Sequence, residues 1–536
     1  SAANTLAIKM SKPKLATVLR ISSSVNIREP TALLSKNFSV KRCIKKLYTA
    51  FRYLNGMDLD LAKLAVNYGL SLGVDYVEAR LHRTIEVGCL LKNSTPEPTI
   101  LADSFGLGVR VRYKGALAFG ATNILSTQSI KDLVEEVFKR AKASINLLGE
   151  PIKFSCEEMG KGVWSAEEKE KLEDVDVQTM LNLLKELDNE IKNGFHGVSF
   201  TNRLLMVETS VEEKFYTNSE GAELRSRVPR VSISSFINAT YDGRNHTITI
   251  PAGYAALGES GGWEVVKRLD PLTFFKEEGS NLAKAVKSTL NPPLEPIDVI
   301  LGPDVVGLVA HESSGHPAEA DRILGREGAQ AGESYLKIDS LGLRIGSSEA
   351  YVSDDPTIPH SMGFYLYDEE GVKARKRRLI EGGVIKEYLH NRATANTFST
   401  KSNAASRSVA YNREPIIRMA NTYVEPGDYT FAELLEGVKL GVYIKSFMEW
   451  NIDDIRMNQR YVGLEAYLIE QGELKAGVKA PILEVTTPKF WSSVDARGKD
   501  LQFKAASCGK GDPMQGAPVW TGGPHIRLRS IKLGVR

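Results

Sequence analysis

A proline-rich break near the middle of the chain limits what it can fold into. Asn291-Pro292-Pro293-Leu294-Glu295-Pro296 places three prolines within six residues, and proline interrupts both helices and sheet ladders. The chain has 536 residues, more than a single hydrophobic core usually holds. The sequence therefore predicts a boundary here, between an amino-terminal domain over residues 57–290 and a carboxy-terminal domain over residues 291–536.

Residues 57–290 combine helical and strand periodicity. Asp242-Gly243 is a typical hairpin turn between two alternating runs. The remaining patterns predict helices over 58–66, 127–146, 165–192 and 271–290, and strands over 76–81, 106–113 and much of 198–250. This domain is predicted to be mixed α and β.

The carboxy-terminal domain opens with an apolar strand, 297–301, followed by a helix running from Val305 toward His316 with Asp304 as its N-cap. Beyond it most segments have strand or loop patterns, with one helix near 430–440. The predicted fold class is therefore α+β: a mixed α/β amino-terminal domain followed by a mostly antiparallel β carboxy-terminal domain that carries the helix of a metal site.

The first 56 residues differ in charge from the rest of the chain. They carry 11 Lys and Arg against one acid, Glu29, whereas the other 480 residues carry 58 Lys and Arg against 65 Asp and Glu. Residues 1–56 are predicted to be a disordered basic extension; a start at Met57, an organelle transit peptide and a partner-binding arm are the alternatives. The acidic body argues against nucleic-acid binding.

Hydropathy and cysteine usage bear on location. No segment approaches the roughly 18 consecutive apolar residues of a membrane helix, so no membrane association is predicted. The cysteines show no paired spacing, which argues against a disulfide framework and favours a reducing, cytoplasmic location; they are Cys43, Cys89, Cys156 and Cys508. Cys89 lies in an apolar run and is expected in the core.

The segment His311-Glu312-Ser313-Ser314-Gly315-His316 suggests a zinc site. A catalytic zinc site has three protein ligands and keeps a fourth position for water, and imidazole and thiolate are suitable ligands. In an ideal helix, residues four apart differ by about 40° around the axis, but residues five apart differ by about 140°. His311 and His316 can therefore share a metal only if the helix is distorted between them. Glu312 is then the candidate general base.

Two residues favour such a distortion. Gly315 has no side chain and permits unusual dihedral angles, and Pro317 disfavours helical geometry at the residue before it. An inserted residue, a π-bulge, would return His316 to the face of His311. We therefore expect a π-bulge within this helix.

Cys508 is a candidate third ligand. It lies in a glycine-rich polar segment, which we interpret as a loop, beside Lys510, whose charge would favour the thiolate. Glu319 and Asp321 are candidates to orient the histidine rings; a solvated helix end is the alternative.

Other chemistries have weaker support. Gly258-Glu259-Ser260-Gly261-Gly262 fits Gly-x-Ser-x-Gly, with His390 and His525 downstream, but the apolar strand that should precede a nucleophile elbow is too short. The His-x-Glu and Pro-Cys-x-x-Cys motifs of zinc deaminases are missing. A non-catalytic, metal-stabilised regulatory or interaction protein remains the open alternative. The other histidines are interpreted as ordinary surface or core residues: His82, His196, His246 and His360.

The histidine segment and several others resemble the TldD/PmbA family, formerly called modulators of DNA gyrase. Residues 311–321 are similar to its His-Glu-x-x-Gly-His…Glu-x-Asp signature. Further similarities run from about Met57 to the end of the chain and lie at 106–110 with 118–120, at 368–371, at 418–423 and at 508–510.

The resemblance implies a zinc-dependent peptidase of the TldD branch, which keeps both the His-Glu motif and the late cysteine. It implies that His311, His316 and Cys508 bind one Zn²⁺ and that Glu312 is the base. It also implies short or unfolded peptide substrates and a dimer, either of like chains or with a homologous chain that lacks the metal motif. Residues 451–459 have none of the glycines expected there, so no substrate or partner contact is carried over to them.

Overall fold

The computed structural model of the chain describes residues 58–253, 255–328 and 331–536. The predicted disordered extension, residues 1–56, lies outside the described residues. The described residues form helices and mostly antiparallel sheets, which confirms the predicted α+β fold class. None of the described helices is both long and apolar enough to cross a membrane.

A nine-stranded sheet organises the residues up to 290. Its strands are β1 (Tyr76–Lys92), β2 (Thr95–Pro96), β3 (Ile100–Tyr113), β4 (Ala116–Thr122), β5 (Lys161–Ser165), β6 (Ser199–Asn218), β7 (Glu223–Tyr241), β8 (Arg244–Ile250) and β9 (Leu257–Ser260). The order is β4-β3-β1-β6-β7-β5, with β2 paired to β1 and with β8 and β9 paired to β7. All pairs are antiparallel except β5–β7, which is parallel.

Helices cover this sheet in two groups. The helices are α1 (Asp58–Ser71), α2 (Thr127–Ser144), α3 (Val177–Gly194), α4 (Glu264–Leu269) and α5 (Pro271–Ala285), with 3₁₀ turns at Ile145–Leu147 and Leu172–Asp174. Helices α1 and α2 bury their apolar side chains with those of β1 and β3. Helices α3 and α5 pack on each other and share a second apolar core with β6, β7 and β8.

The helix predicted over 165–192 is wrong in its first part, because α3 begins only at Val177. The acidic run before α3 instead lies beside strand β7. Glu168 and Glu173 pair with Arg227 of β7 at 3.2 and 2.6 Å, and these tertiary ion pairs compete with the helical propensity of the run.

The other elements predicted in this half are confirmed. The helices over 58–66 and 127–146 are present, and the one over 271–290 ends early, at Ala285. The hairpin at Asp242-Gly243 joins β7 to β8, with both residues at positive φ.

Residues 291–328 and 331–536 form three larger sheets and one two-stranded ribbon. The strands are β10 (Ile297–Leu301), β11 (Val352–Asp354), β12 (Arg377–Glu381), β13 (Val384–Ile385), β14 (Ser406–Arg407), β15 (Ile416–Ile417), β16 (Asn421–Val424), β17 (Leu440–Ile444), β18 (Phe447–Ile452), β19 (Asn458–Gly463), β20 (Ala466–Glu470), β21 (Glu473–Gly477), β22 (Pro481–Thr486), β23 (Val494–Arg497), β24 (Gln502–Lys510), β25 (Gln515–Gly523), β26 (Ile526–Ile531) and β27 (Leu533–Val535). The sheets have the orders β21-β20-β17-β10-β26-β23, β13-β12-β11-β16-β25-β24 and β18-β19-β22-β27, and β14 pairs with β15.

Helices in this half are short. They are α6 (Pro303–Ala310), α7 (Ala320–Ile323), α8 (Arg392–Thr397), α9 (Phe431–Glu436) and α10 (Thr487–Ser493). The predicted strand β10 and helix α9 are confirmed, whereas α8 and α10 were not predicted. Asp304 was wrongly predicted to cap α6. The N-cap is Gly302, and Pro303 opens the helix, because its fixed φ suits the first helical position.

Helix α6 connects the first of these sheets to the second. It follows β10 directly and packs on β25. The contact is close: a Cβ at Gly307 would lie 2.7 Å from the backbone nitrogen of Gly522. Since β25 pairs with β24, this packing brings the carboxy-terminal end of α6 toward the strand that carries Cys508.

Candidate metal centre

The helix changes its winding between the two histidines. His311–Gly315 is a π-helical segment, in which the backbone N–H of His316 donates to the carbonyl of His311. A 3₁₀ turn, His316–Ala318, follows it. The ring centroids of His311 and His316 lie 4.8 Å apart, with the rings at 81° to each other. The predicted π-bulge is therefore confirmed, and it brings the two imidazoles together.

Close packing holds this segment in place. A Cβ at Gly315 would overlap the Sδ of Met419 and lie 3.2 Å from Oγ1 of Thr422, so only glycine fits. The Oγ of Ser313 donates to the carbonyl of Val309 at 2.7 Å and accepts from Nε1 of Trp491 at 3.2 Å. These contacts fix the widened turn from both sides.

Cys508 lies in strand β24 and not in a loop, so that interpretation of the sequence was wrong. It pairs with Ala517 of β25 in an antiparallel ladder, which tolerates the glycines around it. Its Sγ lies 3.4 Å from Nε2 of His316. One donor atom each from His311, His316 and Cys508 lies within 4.8 Å of the other two, and all three residues are buried.

The local charges favour a thiolate at Cys508. Burial raises the pKa of the thiol, but His316 and the guanidinium of Arg418 outweigh it and lower the pKa to about 7. Lys510 is not the cause that we expected. Its ammonium group pairs with Asp321 at 2.7 Å and with Glu319 at 3.3 Å.

The imidazole of His311 suits a metal ligand. Burial lowers its pKa, which favours the neutral ring with a free lone pair. Its Nδ1 is buried and has no hydrogen-bond partner among the described residues. A buried polar atom without a partner is costly, and coordination of a metal would remove that cost. The imidazoles of His311 and His316 and the thiolate of Cys508 therefore form a donor set that fits zinc.

Glu319 orients the second imidazole. Its Oε2 lies 2.9 Å from Nδ1 of His316 and 2.6 Å from Nε of Arg322. Burial raises the pKa of Glu319, but Lys510, His316 and Arg322 together hold it well below its usual range. A carboxylate at this position accepts a hydrogen bond from Nδ1–H of His316 and leaves its Nε2 facing Cys508. Glu319 is fully buried, so the alternative of a solvated helix end is wrong for this residue.

Asp321 has a more remote position. It binds Lys510 through both carboxylate oxygens, at 2.7 and 2.8 Å, and no hydrogen bond joins it to either ring among the described residues. It neutralises the lysine that in turn contacts Glu319.

Glu312 is buried beside the two imidazoles and pairs with a residue that the sequence did not reveal. Its Oε2 accepts a charge-assisted hydrogen bond from Nη1 of Arg456. Burial raises the pKa of Glu312, but Arg456 and the two histidines lower it overall, so the group is a carboxylate. The signal available in the sequence was the unusual composition of 451–459, which contains Arg456 but gives no indication of its contact.

Arg418 was not predicted as a site residue either, although residues 418–423 contributed to the family resemblance. Its Nη2 donates to the carbonyl of Cys508, and its Nη1 donates to the carbonyl of Gln515 at 2.7 Å. It thereby fastens the turn between β24 and β25 and brings a positive charge to the thiol.

A cavity of about 250 Å³ opens onto the three donors. Leu308, Phe447 and Trp450 form part of its apolar wall, and Glu312 and Arg456 line it as well. A larger cavity of about 500 Å³ lies between the first sheet and β24. The two cavities share Ala255, Ala506 and Ser507, so they adjoin along β24.

The other predicted residues lie outside this centre. Ser260 is fully buried within β9, and its Oγ has no hydrogen-bond partner among the described residues. His390 bonds Thr394, and His525 contacts Tyr443 and Asp500. No serine–histidine pair is therefore assembled within the described parts of the chain. Cys89 is buried in the core as predicted.

Family models match most of the described chain. The PmbA/TldA metallopeptidase domain 1 matches residues 77–141, the central domain of the same family matches residues 170–289, and its C-terminal domain matches residues 295–535. The metal centre lies within the last of these matches.

Individual relatives are similar to this chain over most of their own length. A metalloprotease from Methanocaldococcus jannaschii is 30% identical over 466 residues, which cover 84% of this chain and 96% of that protein. A zinc metalloprotease TldD homolog from Saccharolobus solfataricus is 26% identical over 467 residues, covering 86% and 97%. The crystal structure of TldE from Thermococcus kodakarensis has the same fold, with a TM-score of 0.70 and 16% identity over 88% of this chain and all of that one. Because the family models and full-length relatives agree from the first sheet to the last strand, this chain belongs to the PmbA/TldD family of metallopeptidases.

Proposed function

We propose that the protein is a zinc-dependent peptidase that hydrolyses short or unfolded peptides. The observation that carries the proposal is the convergence of His311, His316 and Cys508 beside the carboxylate of Glu312. Two imidazoles and one thiolate are ligands that zinc favours, and a three-ligand site leaves a position for water. Glu312 follows the candidate ligand His311 in sequence. Because His311, His316 and Cys508 already supply three ligands, Glu312 is free to act as the base.

The roles of the residues follow from their contacts. Zinc bound by these donors would lower the pKa of a water molecule toward about 7 and polarise the scissile carbonyl group. Glu312 accepts the proton of the attacking water at a carboxylate oxygen and delivers it to the nitrogen of the leaving amine. Glu319 holds the ring of His316 through its Nδ1–H. The apolar wall of the cavity excludes bulk water, which strengthens these charge interactions.

The surroundings of Cys508 suit an extended peptide. Strand β24 is the outermost strand of its sheet. Ala505 exchanges two backbone hydrogen bonds with Ala256 across its outer edge, at 2.8 and 3.0 Å. Successive residues of a strand direct their backbone N–H and C=O groups to opposite edges. Ser507, two residues after Ala505, therefore directs its backbone groups to the same outer edge of β24. The two cavities meet at this edge. An unfolded peptide can add there as a further strand through main-chain hydrogen bonds that do not depend on its sequence.

The test is hydrolysis of fluorescence-quenched, unstructured peptides by the purified, zinc-loaded chain. We expect Glu312→Gln to keep its zinc and to lose about 10²–10⁴-fold in kcat. Glu473→Gln changes an exposed glutamate on β21 in the same way and should leave both properties intact. Loss of zinc in Glu312→Gln would make Glu312 a ligand and refute its assignment as the base.

The metal is tested separately, by metal analysis of the purified chain. Cys508→Ala should lose zinc, whereas Cys156→Ala, a change at an exposed cysteine, should retain it. A wild-type chain without stoichiometric zinc would refute the zinc site. A chain that holds zinc but hydrolyses no peptide would instead support the alternative, a non-catalytic metal-stabilised regulatory or interaction partner.

The same proposal includes a dimer, of like chains or with a homologous chain that lacks the metal motif, and a cytoplasmic location. The dimer rests on the resemblance to the family that the sequence motifs carry, and the location rests on the unpaired spacing of the cysteines. Purification of the native complex and identification of its second chain distinguish the two kinds of dimer.

A further inference from the structure

Arg456 has an unusual backbone conformation in the turn between β18 and β19. Its φ is +62°, a left-handed value that long side chains rarely adopt. Backbone bonds fix the turn: the N–H of Arg456 donates to the carbonyl of Asp453 at 3.0 Å, and its own carbonyl accepts from Oγ1 of Thr487 at 2.9 Å. None of these bonds involves the arginine side chain, so the turn does not require an arginine. Strained backbone of this kind is often kept for a functional side chain.

The side chain of Arg456 is buried in the metal cavity. Its Nη1 donates to Oε2 of Glu312, and its Nη2 lies 3.4 Å from the carbonyl of Ala331. The arginine therefore reaches Glu312 across 144 positions of sequence. A rigid guanidinium plane that is held at both ends fixes the position of its partner better than a flexible ammonium group.

The two oxygens of Glu312 differ in their surroundings. Oε2 is occupied by Arg456, whereas Oε1 accepts no hydrogen bond from any residue in the described parts of the chain. Oε1 is also not among the buried polar atoms that lack a partner, which is consistent with an atom that faces the open cavity. One oxygen is thus anchored, and the other remains available to a proton donor.

We propose that Arg456 is a positioning residue that holds Oε2 of Glu312 and thereby directs Oε1 toward the water that attacks a bound peptide. This inference rests on the proposed peptidase function. Oε1 takes the proton as the O–H bond of the water breaks, and Arg456 keeps all of its own protons throughout. Arg456 contributes to the turnover step by fixing the direction of the base and does not contribute to substrate affinity.

Two substitutions remove the guanidinium and suit the backbone. Arg456→Gly and Arg456→Asn both tolerate a left-handed φ, so each can keep the turn that Asp453 and Thr487 fasten. The matched control is Arg460→Ala, in the adjacent strand, whose side chain pairs with Glu449 outside the cavity. All chains are compared in full length and zinc-loaded, with fluorescence-quenched unstructured peptides as the probe.

We expect both Arg456 variants to keep stoichiometric zinc, to lose about 100-fold in kcat because the base is misplaced, and to show an unchanged KM. Arg456→Lys should fall between these variants and the wild type. Guanidinium chloride at millimolar concentration should restore kcat in Arg456→Gly, where the cation can occupy the vacated space, and should have no such effect on Glu312→Gln. A purely structural role would not respond to added guanidinium.

Three results would overturn the inference: an unchanged kcat in both variants, a raised KM with an unchanged kcat, or a loss of kcat that guanidinium does not restore. The second result would make Arg456 a substrate contact. The proposed function is judged separately, by the wild-type chain. Absence of hydrolysis there refutes the peptidase, whereas wild-type hydrolysis with fully active Arg456 variants refutes only the role of Arg456.

Discussion

Replacement of Gly315 by alanine tests whether the π-helical segment builds the metal site. The added Cβ would overlap Sδ of Met419 and lie 3.3 Å from its Cγ, whereas carbon atoms in contact prefer roughly 3.5–4.0 Å. Met419 is fully buried, so its side chain cannot swing out into solvent to make room. The clash must therefore move the π segment, the methionine or both.

The expected cost follows from this geometry. Overpacking of a well-packed core by one methyl group costs about 1–3 kcal/mol, so the free energy of unfolding of the metal-free chain should fall by that amount. Metal–ligand distances tolerate only about ±0.2 Å, and the displaced segment carries the imidazole of His311 and leads directly into His316. Zinc affinity should therefore fall by at least about tenfold, which corresponds to about 1.4 kcal/mol.

Urea denaturation of the metal-free chain and competition with a chromogenic chelator measure the two quantities. Gly149→Ala is the matched control, because a Cβ at Gly149 meets no atom within 4 Å and the residue has no positive φ. A Gly315→Ala chain with unchanged stability and zinc affinity would show that the close approach to Met419 does not shape the site. Equal losses in the control would show that the effect is not specific to this position.

Three further predictions concern the surroundings of the metal. Glu319→Gln should lower zinc affinity by about 10–100-fold in chelator competition, because it weakens the partner that orients an imidazole; unchanged affinity would contradict that role. The thiol of Cys508 has a pKa of about 7 against an ordinary 9.0, so its contribution to the stability of the metal-free chain is present above pH 9.0 and is lost as the pH falls through about 7. Zinc affinity should likewise fall by about tenfold per pH unit below 7, and a flat profile down to pH 5 would refute a titrating thiolate. Asp354→Ala leaves the fully buried Arg377 without its ion-pair partner and should cost about 3–5 kcal/mol in urea denaturation, whereas Glu381→Ala, at an exposed pair, should cost less than about 1 kcal/mol.

Local chemistry made much of the centre predictable. The π segment could be inferred because the five-residue spacing of the histidines is incompatible with an ideal helix, and because Gly315 and the following proline permit a distortion. The fold class followed from periodicity on either side of the proline break. These features depend on neighbours in sequence, for which residue type and spacing are informative.

Tertiary context determined what the sequence did not reveal. Cys508 was predicted as a candidate ligand but was assigned to a loop, because the glycines near it suggest a turn until the partner strand β25 is known. Arg456 was missed because its contact with Glu312 joins two segments that no pattern relates. The acidic run before α3 was misread as helix for the same reason, since its partner, Arg227, lies on a distant strand.

The distance along the chain between the donors also affects the order in which the centre can be made during synthesis. His316 and Cys508 are 192 residues apart. Translation at about 5–20 residues per second needs roughly 10–40 s to cover this gap. During that interval the growing polypeptide has both imidazoles but not the thiolate, and β25, on which α6 packs, has not yet been made. Most of the chain has therefore left the ribosome before the last of the three candidate metal donors, Cys508, is synthesised.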